Sequence, residues 1–355
     1  MRLEAGLTDL LEARLLPHPP DTLRIGLVVP QRGALGMLGP SVVDAALLGA
    51  HEANVTGGVA GSYVDLVLLD GGREPATVAR EAGALAASGG IDALVGLCAS
   101  DVHLAVARAV AGRTPYVYTP PHDGTPGFSS VVCTGPAPAA QLQDAIVRLG
   151  RAHRVRRWAL VGSDYVWPWA VHRAARRTIV ESGAAAVLEE FVPIGGVPDV
   201  LDRLVDRLAA ERADALLISL VGRDQVLFHR ALRHAGLDRR LVRLSGALEE
   251  NGLLAVDGDE TGLLYAAMPS FASLPDEDHR SLLERHAAVL GPTAPVLDSY
   301  AKGVYDGVRL ITRLATRGAL CPDRISREAA QTSGAQPVHL ARAVGYDLAV
   351  VPGVA

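Results

Sequence analysis

Lysine is almost missing from this chain: Lys302 is the only one among 34 basic residues, and the rest are arginine. So complete a skew reads as coding bias. The formal net charge is −5, and a protein that holds nucleic acid through its phosphates is normally basic, so that class is disfavoured. Cysteine is scarce too. Cys98, Cys133 and Cys321 lie far apart with no CxxC pair, which excludes a structural zinc knuckle and thioredoxin-like redox chemistry. An odd, low count also argues against a disulfide-stapled secreted domain. No metal and no cofactor is expected. No apolar run reaches the roughly 18 residues of a membrane span. At the amino terminus, Glu4, Asp9, Glu12 and Arg14 interrupt any signal-peptide core. A cytoplasmic protein is therefore expected, or an extracytoplasmic one if a leader has been removed.

The sequence also lacks the usual enzyme signatures. There is no GxSxG elbow, no P-loop GK[ST] and no HExxH, since His51-Glu52 has no second histidine. Glu189-Glu190 and Glu249-Glu250 are adjacent pairs whose members point different ways in regular structure, so neither makes an acid/base dyad. Gly33, Gly36 and Gly39 follow a strand, but they space as GxxGxxG and not as the GxGxxG of a dinucleotide fingerprint. Asp70 ends the next strand, where an acidic ribose ligand would sit. The spacing favours a flexible loop over a cleft.

What is present is a regular alternation. With 355 residues, 49% apolar and 21% charged, the chain can fill about two domains. Residues 1–22 read as an arm of one or two amphipathic turns. Strands at 24–29, 63–69, 91–97, 115–119 and 131–134 then alternate with helices at 41–54, 75 onward and 101–111. The pattern restarts with a helix at 139–153. Strands at 158–162, 186–192, 215–220 and 241–244 follow, separated by helices at 169–182, 199–212 and 224–235. Helices at 277–290 and 298–317 and a last strand near 339–351 complete the chain. Such alternation means parallel α/β sheets, here in two successive sets.

Aromatics make up only 4% of the chain, so their positions are informative. Tyr116, Tyr118, Tyr165, Trp167 and Trp169 fall in two short stretches at or just past the carboxyl ends of strands. In open α/β sheets that is where ligands bind, and aromatic walls suit small molecules. The plain alternative is that Tyr116 and Trp158 are core and Trp169 packs its own helix. Ser100 lies between a strand and a helix, where a hydroxyl beside free helix N–H groups suits a carboxylate or carbonyl oxygen, or else serves as an ordinary N-cap. Ser163-Asp164 and Gly222-Arg223-Asp224 repeat the arrangement. Residues 148–157 hold five arginines and 173–177 three more. They form either a docking face for an acidic partner or RNA, or a solvated helix face.

The segments VGLCAS (95–100), YTPPHDG (118–124), TGPAPAAQ (134–141), VGSDYVWP (161–168) and SLVGRDQVLFHRAL (219–232) carry a family resemblance. In order and spacing, over about residues 22–350, the chain resembles the type I periplasmic binding proteins. Within them it is similar to the branched-chain amino acid, amide and urea binding family, and most of all to the cytoplasmic amide sensor of bacterial aliphatic amidase operons. The resemblance implies two Rossmann-like lobes with parallel sheets, three crossovers and a ligand cleft between the lobes. The arm would be 1–22, lobe 1 residues 23–136 plus 271–333, and lobe 2 residues 137–270 plus 334–355. Crossings are expected near 135–138, 268–271 and 332–337.

By the same resemblance, Ser100 would hold a ligand carboxylate or carbonyl oxygen. Tyr118, Tyr165 and Trp167 would line the cleft, and the 245–249 segment, with Ser245 and Glu249, would close it. Glu249 or Glu250 would take an ammonium group. Cys98 stands where an aromatic is expected and Pro120 where threonine is expected, which points to a roomier, more apolar pocket than a small amide needs. The expected function is a non-catalytic sensor that closes around an amide, urea, amino acid or short acid and engages a regulatory protein, with homo-oligomers left open. The alternative is the solute-binding component of an ABC transporter with a permease partner, and more distantly an α/β enzyme. A sugar-binding repressor of this fold would need about 60 residues of DNA-binding domain, which 22 residues do not supply.

Overall fold

The structure, a computed structural model, describes residues 3–125, 127–332 and 336–352. Its contacts divide the chain into two compact units. Met1–Pro120, Thr125–Gly135 and Glu277–Gln336 form the first, and Pro121–Gly124, Pro136–Asp276 and Pro337–Ala355 the second. The first unit opens with β1 (Gly6–Asp9), α1 (Leu10–Leu15), β2 (Thr22–Val29), α2 (Gly39–Val55), β3 (Tyr63–Asp70), α3 (Pro75–Ser88), β4 (Ala93–Gly96), α4 (Ser100–Val110), β5 (Tyr116–Tyr118) and β6 (Val131–Cys133). The second contains α5 (Pro138–Ala152), β7 (Arg157–Ser163), α6 (Val166–Glu181), β8 (Ala185–Val192), α7 (Val197–Glu211), β9 (Ala215–Ser219), α8 (Gly222–His234), β10 (Val242–Ser245), α9 (Glu250–Ala255) and β11 (Leu264–Met268). Helices α10 (Glu277–Leu290), α11 (Ser299–Thr316) and α12 (Ile325–Thr332) belong to the first unit. Strands β12 (His339–Val344) and β13 (Asp347–Val350) belong to the second.

The sheet of the first unit runs β1-β3-β2-β4-β5-β6 and is parallel throughout. That of the second runs β13-β12-β11-β10-β9-β7-β8, parallel except where β12 and β13 return antiparallel. Central strands covered on both faces carry continuous apolar runs. β4, β9, β10 and β11 are buried along their whole length, and β2 is buried after its first residue. Proline opens α2, α3, α5 and α7, where its missing N–H costs nothing. Gly345 turns β12 into β13 with φ +63°, the left-handed geometry of a two-residue hairpin.

Several elements were not anticipated. The arm carries β1, which pairs with β3 and covers what would be an exposed sheet edge. Strand β11 and helices α9 and α12 fall where the sequence pattern weakens, and the last strand is a hairpin. The unit boundary expected near 268–271 lies after Asp276. Residues 269–276 stay with the second unit because Ala272 N–H donates to Glu250 and Ser273 Oγ to Leu348 O. Of the segment expected to cross near 332–337, residues 333–335 lie outside the described residues.

Candidate functional site

Strand order sets where each unit can bind. In the first unit the chain moves from β2 to β3 on one side, then crosses to β4 on the other, so the switch point lies between β2 and β4. In the second it moves from β7 to β8, then crosses to β9, placing the switch between β7 and β9. Crevices outside the carboxyl ends of such strand pairs are where open α/β sheets take ligands.

At the first switch point Ser100 is the first residue of α4 and is 2% exposed, and its Oγ has no hydrogen-bond partner. The N-cap is Ala99, which has no side chain to bond the helix, so Ser100 does not act as the cap. At the second switch point Ser163 ends β7, fully buried, with its Oγ also unpartnered. Trp167, in the first turn of α6, is 3% exposed and its Nε1 has no acceptor. Tyr165 caps the same helix through its backbone, and its ring tilts against Trp167 at 6.5 Å. Buried polar atoms without partners are costly, so three of them at two switch points need an explanation.

The loops around them are fixed by their own hydrogen bonds. Asp70 Oδ1 accepts from Gln31 N–H at 2.9 Å and Gly72 N–H at 3.0 Å, and Oδ2 pairs with Arg32 Nε at 2.5 Å. Its carboxylate clamps the loops after β2 and β3 and is not placed for a ribose. The loop at 33–39 is thereby anchored at its start. In the second unit, Gln141 Nε2 donates to the carbonyls of Gly246 and Ala267, tying α5 to the ends of β10 and β11.

A Glu189–His172–Ser219 chain stands behind α6. His172 Nδ1 lies 3.2 Å from Glu189 Oε1, and Nε2 lies 2.9 Å from Ser219 Oγ. Burial, with Arg176 nearby, pushes the His172 pKa down to about 3, so the ring is neutral. Glu189 then accepts from Nδ1–H, and Ser219 donates to Nε2. The order of groups is that of a hydrolytic relay, but Ser219 is wholly buried against Gly162, where a Cβ would run into its Oγ. The chain pins α6 to β7 and β9 and presents no accessible nucleophile.

Other expected site residues have structural work. Cys98 and Tyr118 belong to the core of the first unit. Tyr116 and Tyr118 alternate onto the same face of β5, the face covered by α4. Tyr118 stacks on His103 at 3.8 Å, and its hydroxyl donates to Cys98 O at 2.8 Å. Burial pushes the Cys98 thiol well above its ordinary range, so it stays a neutral thiol. Pro120 is buried just past β5. Ser245 Oγ donates to Gln225 Oε1 at 2.7 Å and accepts from Ala247 N–H. Glu249 caps α9 through Gly252 N–H, and Glu250 accepts from Ala272 N–H. Asp224 accepts from Gly195 N–H and anchors the loop before α7. Trp169 packs flat on Phe191. Ser163 had been paired with Ser100 only by its place after a strand, yet it shares the same unpartnered state.

The model of the family described as periplasmic binding protein matches residues 22–343. The chain belongs to the periplasmic binding protein family. A solved periplasmic binding protein from Burkholderia mallei is similar to it at 17% identity, with a TM-score of 0.82 over 94% of this chain and 95% of that one. The branched-chain amino acid transporter substrate-binding protein LivJ of Streptococcus pneumoniae, in complex with isoleucine, is 17% identical with a TM-score of 0.79, covering 93% and 99%. A solute-binding protein of an ABC transporter from R. palustris, in complex with benzoate, is 15% identical with a TM-score of 0.77, covering 94% and 98%. At these identities the likeness shows the fold. None of the three is an amide sensor, so the expected closeness to that sensor gains no support. No helix among the described residues is long and apolar enough to cross a membrane.

Proposed function

We propose that this periplasmic binding protein family member is the solute-binding component of an ABC transporter and captures a small organic molecule bearing a carboxylate or carbonyl group. This was the alternative to a cytoplasmic sensor, and the transporter components among the solved relatives favour it. The observation that carries the reading is the set of buried, unpartnered donors at the two switch points: Ser100 Oγ, Ser163 Oγ and Trp167 Nε1. Each donates to an acceptor, and Ser100 sits in the first turn of a helix, whose N–H groups favour negative charge. Tyr165, whose ring tilts against Trp167, supplies aromatic surface beside that donor. Regulation of transcription through a protein partner has no supporting observation.

The test is a thermal-shift screen of branched-chain amino acids, aromatic acids, short acids, amides and urea. At a hundredfold excess over Kd, a ligand stabilises the native state by about 2.7 kcal/mol. A hit should lose at least about tenfold in affinity with Ser100→Ala or Ser163→Ala, measured by calorimetry. Because neither hydroxyl has a partner, both variants should melt within a few degrees of the parent. Absence of any hit, or hits indifferent to both serines, overturns the reading.

A further inference from the structure

The arginine-rich segments of the second unit line a trough made of three adjoining grooves along α5, α6 and the neighbouring edge of β8, which share lining residues on α6. A groove of about 500 Å³ is lined by Arg151, Arg154 and Arg156. A second, of about 560 Å³, and a third, of about 700 Å³, share Arg173 and Arg177. All three share Glu181. The acids along the trough are largely occupied: Glu181 pairs with Arg177 at 2.9 Å and Glu189 with Arg176 at 3.1 Å. Among the described residues, Arg151, Arg154, Arg156 and Arg173 form no ion pair with any carboxylate. Asp123 also lines the second groove. This positive lining belongs to a chain whose net charge is −5.

The trough also has an apolar wall. Trp169 is 53% exposed and Val180 67%, and both line the third groove. Trp169 is held rigidly, its ring stacked on Phe191 at 4.0 Å and its Nε1 donating to Asp164 Oδ1 at 2.9 Å. A fixed, exposed tryptophan among arginines has the composition of an interface anchor: it is already ordered, so a partner need not supply that entropy.

We propose that this trough docks an acidic segment of a partner protein. Its carboxylates would meet Arg151, Arg154, Arg156 and Arg173, and an apolar side chain would rest on Trp169 and Val180. Concave shape favours an inserted chain segment over a flat membrane. The net negative charge of the whole chain disfavours a long polyanion such as RNA.

The probe is a fluorescein-labelled dodecapeptide of Glu and Asp with two central leucines, titrated into the full chain and followed by anisotropy. A control peptide carries serine in place of leucine. Binding should weaken at least about tenfold in R151E/R154E/R173E and less in R151Q/R154Q/R173Q. Trp169→Ala should abolish the preference for the leucine peptide while leaving the serine peptide unchanged. Circular dichroism checks that each variant folds. The proposal is overturned by any of four results: no measurable binding, binding indifferent to the arginine variants, a leucine preference that survives Trp169→Ala, or single-stranded RNA or phosphatidylglycerol vesicles binding more tightly than the peptide through the same arginines.

Discussion

Gly162 shows how one residue decides whether a polar chain supports a site or forms one. With no side chain at 162, Ser219 and His172 close up beneath the β7 backbone, and a Cβ there would sit 2.9 Å from His172 Nε2. Gly162→Ala should therefore force α6 away from the sheet and cost about 1–3 kcal/mol, read as a lower urea midpoint. Ser219→Ala leaves the backbone alone but strands a buried imidazole nitrogen, so about 1–3 kcal/mol should be lost by a different route. If either variant matched the parent in stability, the chain would not be pinning the helix. The same scale explains why Cys98, Tyr118, Ser245 and Glu249 read as ligand groups in sequence while the structure also gives each of them packing or hydrogen-bonding work. Residue type and position near a strand end are visible in sequence. Which face of β5 carries the tyrosines, and whether a hydroxyl already has a partner, depends on packing that brings distant segments together.

At the scale of elements, most of the alternation was legible because parallel strands buried on both faces must be apolar throughout. Boundaries of β2, β7 and α10 agree closely with that reading. The strand order was not legible, and with it the switch points, since apolar runs say nothing of who pairs with whom. Strand β1 escaped for a related reason: its pattern is short and half-exposed, and only its pairing with β3 makes it a strand. Its role can be tested. Thr8 Oγ1 donates to Asp65 Oδ2 at 2.8 Å, and Asp65 also faces the buried Arg24 at 3.6 Å. Deleting residues 1–9 removes that hydroxyl and bares the β3 edge. The shortened chain should melt lower and form oligomers at high concentration, seen by light scattering, because an unpaired edge recruits other edges. A shortened chain that stays monomeric with an unchanged melting temperature would mean that β1 protects nothing.

For the molecule as a whole, the native state excludes protons from buried histidines, and His172 and His229 contribute most strongly to its response to acid. Burial pushes His172 down to about 3, and burial reinforced by Arg243 and Arg233, against the opposing Asp259, pushes His229 to about 3 as well. The unfolded chain takes up both protons near the ordinary value of 6.5. Between these values the unfolded state binds more protons, so stability rises with pH across the window. The contribution is complete above 6.5 and is lost as pH falls toward 3. Each histidine should cost up to about 2 kcal/mol on going from pH 7 to pH 5. His172 has hydrogen-bond partners that a substitution would strand, whereas neither ring nitrogen of His229 has one. His229→Leu should leave stability at pH 7 nearly unchanged and remove up to about 2 kcal/mol of the acid-induced loss. Urea midpoints of parent and variant at pH 7 and pH 5 measure this directly: the two should converge at pH 7 and separate at pH 5, with the variant the more stable. Parallel falls in both proteins would assign the acid response to other groups.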